Sequence, residues 1–337
     1  MGGELHAEAQ LDDVARTALK HYDLPGDTTL TLLNITENAT FLVEPPGADR
    51  TILRIHRHGY HGAGQIASEL AWLDALRDAA GVRTPKIIKS GEDHRLVRVE
   101  HGETPRHAVM FEWLPGTEPP GDNLASSFEE LGEITARMHE HSRNWRRPAG
   151  FDRFAWDYDG AFGSTARWGR WQRGIAVGAA ERDILRRLDA TIRHRLAAFG
   201  QEPDRFGLIH ADLRLANLLV HEGQTSVIDF DDCGWSWLLY DLGAALSFIE
   251  DDPRVPALID AWVRGYRRVR PLPVADEAEI PTFVMMRRLL LVAWIGSHSG
   301  TDLARSMGAD YTSVSCDLAE RYLSTYGPGA GPAVPVE

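Results

Sequence analysis

Cysteine is nearly absent from this chain: Cys233 and Cys316 are the only two in 337 residues. That is too few for a disulfide framework, so both are expected to be reduced and structural. Lysine is scarce too, with Lys20, Lys86 and Lys89 against a large majority of arginines, a bias that suggests GC-rich coding and gives an individual arginine little weight as a chosen fork. Long hydrophobic runs are missing. The longest, residues 289–295, is too short to cross a bilayer, and residues 1–10 carry acid where a secretion signal has basic and apolar residues, which predicts a cytoplasmic protein. Basic charge is also short. Against 49 Asp and Glu there are 36 Lys and Arg, a formal net charge of -13, which argues against nucleic acid or an anionic membrane as partner and suits a cationic small molecule. No G-x-x-x-x-G-K-[ST] occurs, which removes the P-loop class. Gly62-Ala63-Gly64-Gln65-Ile66-Ala67 fits a dinucleotide-binding G-x-G-x-x-A, but residues 57–61 part it from the preceding strand and no acidic residue ends a second strand about twenty residues on.

What is present suits a two-lobed globular chain, with 43% hydrophobic and 25% charged residues. A helix is expected over residues 7–21, followed by strand-like runs at 29–33, 39–44 and 50–56. Residues 64–79 place Ile66, Leu70, Leu73 and Leu76 on one helical face. Strands are expected at 86–89, 96–99 and 107–112. Pro and Gly after Leu114 mark a link, beyond which the pattern turns helical. Helices are expected at 127–141 with Ser127 as its cap, and at 181–199, 238–250, 256–268, 277–297 and 315–326. The expected domains are residues 1–113, residues 114–327 and a flexible Gly- and Pro-rich tail, 328–337.

The most informative stretch is residues 208–243. Two short apolar, β-branched runs, 218–220 and 225–228, flank His221-Glu222-Gly223-Gln224, which predicts a hairpin turning at Glu222-Gly223. In that register Asn217 faces Ile228 and Asp229 stands beside it, while the loop from His210 brings Asp212 near. Converging Asn and Asp oxygens suit Mg²⁺, which prefers hard oxygen ligands and keeps waters and phosphates in its other positions. A second carboxylate five residues before the Asn is then placed to orient an attacking hydroxyl.

His210-Ala211-Asp212 with Asn217, followed by Asp229-Phe230-Asp231, resembles the catalytic-loop and metal-loop pair of protein-kinase-like enzymes. With Asp229 preceded by Ile228 and followed by Tyr240-Asp241-Leu242, the variant is similar to the branch holding aminoglycoside phosphotransferases, choline kinases and type II homoserine kinases, and to the bacterial group that includes stress-response kinases. The resemblance implies an α+β, bilobal kinase-like fold: a small antiparallel-sheet lobe with one main helix, and a larger, mainly helical lobe. It also implies an ATP- and Mg²⁺-dependent phosphotransferase.

By the same resemblance Asp212 would be the catalytic base, and Asn217 and Asp229 the metal ligands. Arg54 stands where such enzymes keep a lysine on the α- and β-phosphates, with Glu69 as its carboxylate partner. Two readings of that exchange are open, a working substitute and a pseudokinase scaffold. Glu112 and Leu114 would bond the adenine through their backbones, with Met110 as the inner residue. Asn38, with Thr36, takes the place of the glycine-rich loop. His210 and Asp241 are expected to brace the catalytic loop. Asp231 and Asp232 are read as a second metal or amine site, or as a solvated acidic edge. His56, His58 and His61 are expected at a solvated strand end. The aromatics Trp156, Tyr158, Trp168 and Trp171 suit an acceptor wall or core packing alike. The favoured acceptor is an aminoglycoside or other amino sugar; homoserine, an amino alcohol and a protein Ser/Thr are the alternatives. No Ala-Pro-Glu follows Asp229, which disfavours a protein.

Overall fold

The structure, a computed structural model, describes residues 2–35, 38–101 and 104–328. Thr36 and the tail beyond Pro328 lie outside the described residues. The chain divides into two compact units, one of residues 1–117, 146–153 and 219–231, the other of 118–145, 154–218 and 232–337.

The first unit opens with α1 (Gly2–Leu19), then β1 (Thr29–Ile35), β2 (Ala39–Glu44), β3 (Thr51–Ile55), α2 (Ala63–Ala79), β4 (Ile87–Ile88), β5 (Val97–Val99) and β6 (Arg106–Glu112). The strands form one antiparallel sheet in the order β1-β2-β3-β6-β4, with β5 also paired to β6. Strand periodicity sorts its faces. Phe41, Val43, Leu53 and Ile55 pack with Val14, Ala15 and Ala18 of α1. Arg54, between Leu53 and Ile55, therefore points to the opposite face, where it meets α2.

The second unit contains α3 (Leu124–Asn144), α4 (Tyr158–Phe162), α5 (Ala179–Phe199) and β7 (Phe206–Ile209). Next along the chain is the hairpin β8 (Leu218–His221) and β9 (Gln224–Val227), which runs into the first unit. There Val220 donates its N–H to Thr117 O at 2.8 Å, and Val227 to Arg83 O at 2.8 Å. The second unit resumes with β10 (Gly234–Trp237), α6 (Tyr240–Ala245), α7 (Val255–Arg267), α8 (Val274–Glu277), α9 (Ile280–Ser297) and α10 (Asp302–Tyr326). The architecture is α+β, an antiparallel sheet in the N-terminal region and helices in the C-terminal region.

Several boundaries depart from expectation for local reasons. A 3-10 turn at Gly121–Asn123 starts α3 before Ser127, whose hydroxyl donates to Asn123 O and so lies inside the first turn instead of capping it. The helix expected over 238–250 is only α6, and the chain turns left-handed at Phe248 (φ 71°). The stretch expected as 277–297 is split, because Pro281 in the first turn of α9 has no N–H to continue α8. The antiparallel pair of β7 and β10 was not anticipated. Residues 274–297 are long and apolar enough to span a membrane by length and composition, a possibility the apolar run 289–295 does not suggest, but 83% of that window is buried inside the protein.

Candidate active site

In the second unit β7 delivers the chain into His210-Ala211-Asp212. Ala211 has a left-handed backbone (φ 66°), a conformation that a residue with a Cβ keeps only when its surroundings impose it. The imposing group is Asp241 on α6. Its Oδ1 accepts the Ala211 N–H at 2.7 Å, and its Oδ2 the His210 N–H at 3.3 Å. Behind it, buried His139 lies 3.0 Å from Asp241 Oδ2 through Nε2 and 3.0 Å from the Tyr266 hydroxyl through Nδ1. A neutral imidazole satisfies both contacts, Nε2–H donating to the carboxylate and Nδ1 accepting from the phenol. Burial pushes the His139 pKa down, against the raising effect of Asp241. His210 is fully buried, and its Nδ1 accepts the Asp212 N–H at 3.3 Å. His210 and Asp241 thus both brace the loop.

Asp212 is held from both sides. Its Oδ1 accepts from Arg287 Nη2 at 2.5 Å, and its Oδ2 from Asn217 Nδ2 at 2.8 Å, with Arg214 Nε 3.5 Å from that same oxygen. Asn217 Nδ2 also donates to the Asp212 carbonyl at 2.8 Å. With its nitrogen committed twice to Asp212, the Asn217 amide is oriented so that Oδ1 faces away from that carboxylate. Arg287 was missed by sequence reasoning. Its one signal is the pair Arg287-Arg288 in the midst of the apolar α9, where a buried cation must have a partner.

The first unit brings Arg54 and Glu69 together. Arg54 Nη2 donates to Glu69 Oε1 at 2.6 Å, with side-chain exposures of 8% and 0%. Arg54 Nη1 lies 3.9 Å from Asp229 Oδ1, whose side chain is 47% exposed and whose backbone is left-handed (φ 63°). Burial alone would lower the Arg54 pKa, but Glu69, Asp231 and Asp229 outweigh it and hold the guanidinium firmly charged. The hairpin turns at Glu222 (φ 49°) and Gly223 (φ 72°), the two positive values of a type I′ turn.

Asp231 is no solvated edge. It is buried, with His61 Nε2 at 3.3 Å and His56 Nδ1 at 3.6 Å from its two oxygens. Burial would raise its pKa; the hydrogen bond from His61 and the charge of Arg54 overcome this and hold it well below the usual carboxylate range. His56 and His61 are therefore not at a solvated strand end, and only His58 is exposed. Burial and Arg54 push the His56 pKa well down. Arg153 ties this cluster to α2, donating to Gln65 O at 3.0 Å and to the Asp231 carbonyl. Asp232, in the second unit, is buried too, and its carbonyl accepts from Trp156 Nε1 at 2.8 Å. Trp156, Trp168 and Trp171 are buried, which makes them packing residues.

Of the base-binding candidates, Met110 is buried on β6 opposite Leu53 and Ile88, in the core that packs on α1; it is therefore on the other face of the sheet from Arg54 and is not the inner residue of a base site on the Arg54 side. Glu112 N–H donates to Lys86 O at 2.9 Å, so what Glu112 can offer a base is its carbonyl. Leu114 follows β6 and is partly buried. Asn38 is buried, and its Oδ1 accepts the Arg57 N–H at 3.1 Å.

Residues 29–272 match the phosphotransferase enzyme family (APH). A solved structure of a microcompartment-associated aminopropanol kinase is 48% identical, with a TM-score of 0.87, covering 94% of this chain and 98% of that one. The homoserine kinase of Gluconobacter oxydans is 30% identical over 288 residues, 80% of this chain and 83% of the relative. The fold also matches an amicoumacin kinase solved in complex with AMP-PNP, Ca²⁺ and Ami, at a TM-score of 0.78 and 21% identity over 100% of this chain and 98% of the other. The chain belongs to the phosphotransferase enzyme family and is a kinase that acts on a hydroxyl.

Proposed function

We propose that this kinase moves the γ-phosphoryl of ATP, with Mg²⁺, to the hydroxyl of a small amino alcohol. The observation that carries the acceptor class is the 48% identity, over nearly all of both chains, to an aminopropanol kinase. The net charge of -13 favours a cationic acceptor and fits this reading. An amino-sugar antibiotic has the same pairing of ammonium and hydroxyl, and is the rival.

In-line phosphoryl transfer needs alignment and charge neutralisation more than covalent chemistry. Asp212 would orient the acceptor hydroxyl and take its proton. Asn217 and Asp229 would hold the Mg²⁺: the Asn217 amide nitrogen is committed to Asp212, so its oxygen would serve as a neutral ligand, and Asp229, half-exposed, would bring a carboxylate. When bound, the ion supplies positive charge for the phosphate oxygens. Arg54, held by Glu69, would grip the α- and β-phosphates, with Asn38 near them. The backbones of Glu112 and Leu114 would receive the adenine; Met110, on the sheet face that packs on α1, is left out of that role. Residues 1–113 then act as the nucleotide lobe and 114–327 as the catalytic and acceptor lobe.

The test is ADP formation with aminopropanol, ethanolamine, choline, homoserine, an aminoglycoside and an amine-free diol, with and without chelator. Saturable turnover of a small amino alcohol is expected, lost on chelation and lowered about 10²- to 10⁴-fold in Asp212→Ala. Preference for the aminoglycoside would replace the amino-alcohol reading by the amino-sugar one. Tight Mg·ATP binding with no acceptor-dependent ADP would favour a scaffold.

A further inference from the structure

Arg287 is buried on α9 and spends its guanidinium on the loop that carries Asp212. Nε donates to Ser247 Oγ at 2.8 Å, and Nη1 to both the Ala211 carbonyl and the Tyr240 hydroxyl at 3.2 Å. Nη2 reaches Asp212 Oδ1 at 2.5 Å, and the guanidinium carbon lies 5.0 Å from the centroid of the Trp168 ring. A guanidinium is a rigid plane, so anchoring two of its nitrogens fixes where the third one points. With Asn217 Nδ2 on the other oxygen, the Asp212 carboxylate is gripped at both ends and cannot spin about its Cβ–Cγ bond. A base must present a lone pair to the hydroxyl within roughly 3 Å, so an unclamped carboxylate spends much of its time in unproductive orientations.

We propose that Arg287 is a positioning residue for phosphoryl transfer: from α9 it sets the rotamer of the Asp212 carboxylate, acting through Asp212 and touching no substrate. This rests on Asp212 being the proton acceptor. The plain alternative is a buried ion pair that serves stability alone, and the next residue along the helix is its control. Arg288 is equally buried and donates to Glu250 Oε2 at 2.6 Å, Ser315 Oγ at 2.7 Å and the Tyr311 carbonyl at 3.1 Å. Both arginines are buried and paired to a carboxylate; Arg287 ends on the loop, and Arg288 ends on Glu250.

The experiment uses the full chain and compares wild type with Arg287→Lys, Arg287→Met, Arg288→Met, Asp212→Ala, Asp212→Asn and the double variant Asp212→Asn with Arg287→Lys. For each, kcat and KM are measured with ATP and aminopropanol, scaled to the folded fraction, and Mg·ADP affinity is measured by calorimetry. Arg287→Lys and Arg287→Met should lower kcat about 10- to 100-fold, the cost of a misplaced reacting group, with ATP KM and Mg·ADP affinity unchanged. Lysine keeps the charge but cannot span Asp212, Ala211 and Tyr240 together. Arg288→Met should keep the wild-type kcat per folded molecule. On the Asp212→Asn background, Arg287→Lys should have no further effect, as two residues acting through one step are not additive. Where Arg287→Met does not fold, Arg287→Lys and the double variant decide. A folded Arg287→Lys with wild-type kcat, an additive double variant, or an equal kcat loss in Arg288→Met would each overturn the proposal. A wild type without acceptor-dependent ADP, or an Asp212→Ala variant as active as wild type, sinks the functional reading and this proposal with it. Activity that Asp212→Ala abolishes and Arg287→Lys preserves sinks the positioning role alone.

Discussion

A buried cation is expensive unless its partners are in place, and Arg54 has three carboxylates around it: Glu69, Asp229 and Asp231. Removing it strands Glu69, which is fully buried, so Arg54→Ala should destabilise the protein by about 3–5 kcal/mol, read from urea denaturation. It should also raise the ATP concentration needed for turnover. Arg54→Lys keeps a charge beside Glu69 and should lose less stability and stay active, though without the planar fork. Unchanged ATP dependence in a folded Arg54→Ala would remove Arg54 from the phosphate site. The pairing of Arg54 with Glu69 was legible through the resemblance to kinase-like enzymes, which implies a cation on the strand and a carboxylate on the helix after it. The partners of Asp231 were not. His56 and His61 lie about 170 residues away in sequence, and H-x-H spacing at a strand end says nothing of a carboxylate that arrives from the hairpin.

Helix α3 meets α7 through two glycines. A Cβ built at Gly132 would overlap the Trp262 carbonyl, and one built at Gly265 the Glu129 carbonyl, so the two backbones approach as closely as glycine allows. Alanine is the better helix former by about 1 kcal/mol, so a loss of stability in Gly132→Ala or Gly265→Ala must be steric. About 1–3 kcal/mol is expected in each, measured as a fall in the denaturation midpoint. The hairpin offers a change of opposite sign. Glu222 holds a positive φ that asparagine tolerates better, so Glu222→Asn should stabilise by a few tenths of a kcal/mol, on the order of the cost of a left-handed Glu. Elements of strong period were legible, such as α2, α5 and the hairpin. The short strands β7 and β10 were not, since each is only four residues long, too short for an alternation to stand out from loop. The true start of α10 was hidden by its break at Gly308 (φ 52°).

At the scale of the whole chain, each unit contains a buried histidine whose fold favours the neutral form: His56 in the first and His139 in the second. Desolvation is the main cause in both, reinforced at His56 by Arg54 and opposed at His139 by Asp241. An unfolded chain protonates these imidazoles near the ordinary histidine value of 6.5, whereas the folded chain resists down to lower pH. Between those limits the unfolded state holds more protons, so stability must fall as pH falls. Each such group contributes at most about 1.4 kcal/mol per pH unit, and two of them give a slope of up to about 2.7 kcal/mol per pH unit below 6.5. Above that pH their contribution is flat. The carboxylate Asp231 acts in the same direction at much lower pH, because its folded pKa lies below the ordinary 3.8. Urea denaturation from pH 8 to pH 5 should therefore show a plateau, then a decline that begins near 6.5, well before carboxylates titrate. His139→Gln keeps a donor and an acceptor for Asp241 and Tyr266 but cannot take the proton, so it should lose stability at pH 8 yet show a shallower decline. A decline as steep as that of wild type would mean that the acid sensitivity lies elsewhere than in the buried imidazole behind the Asp212 loop.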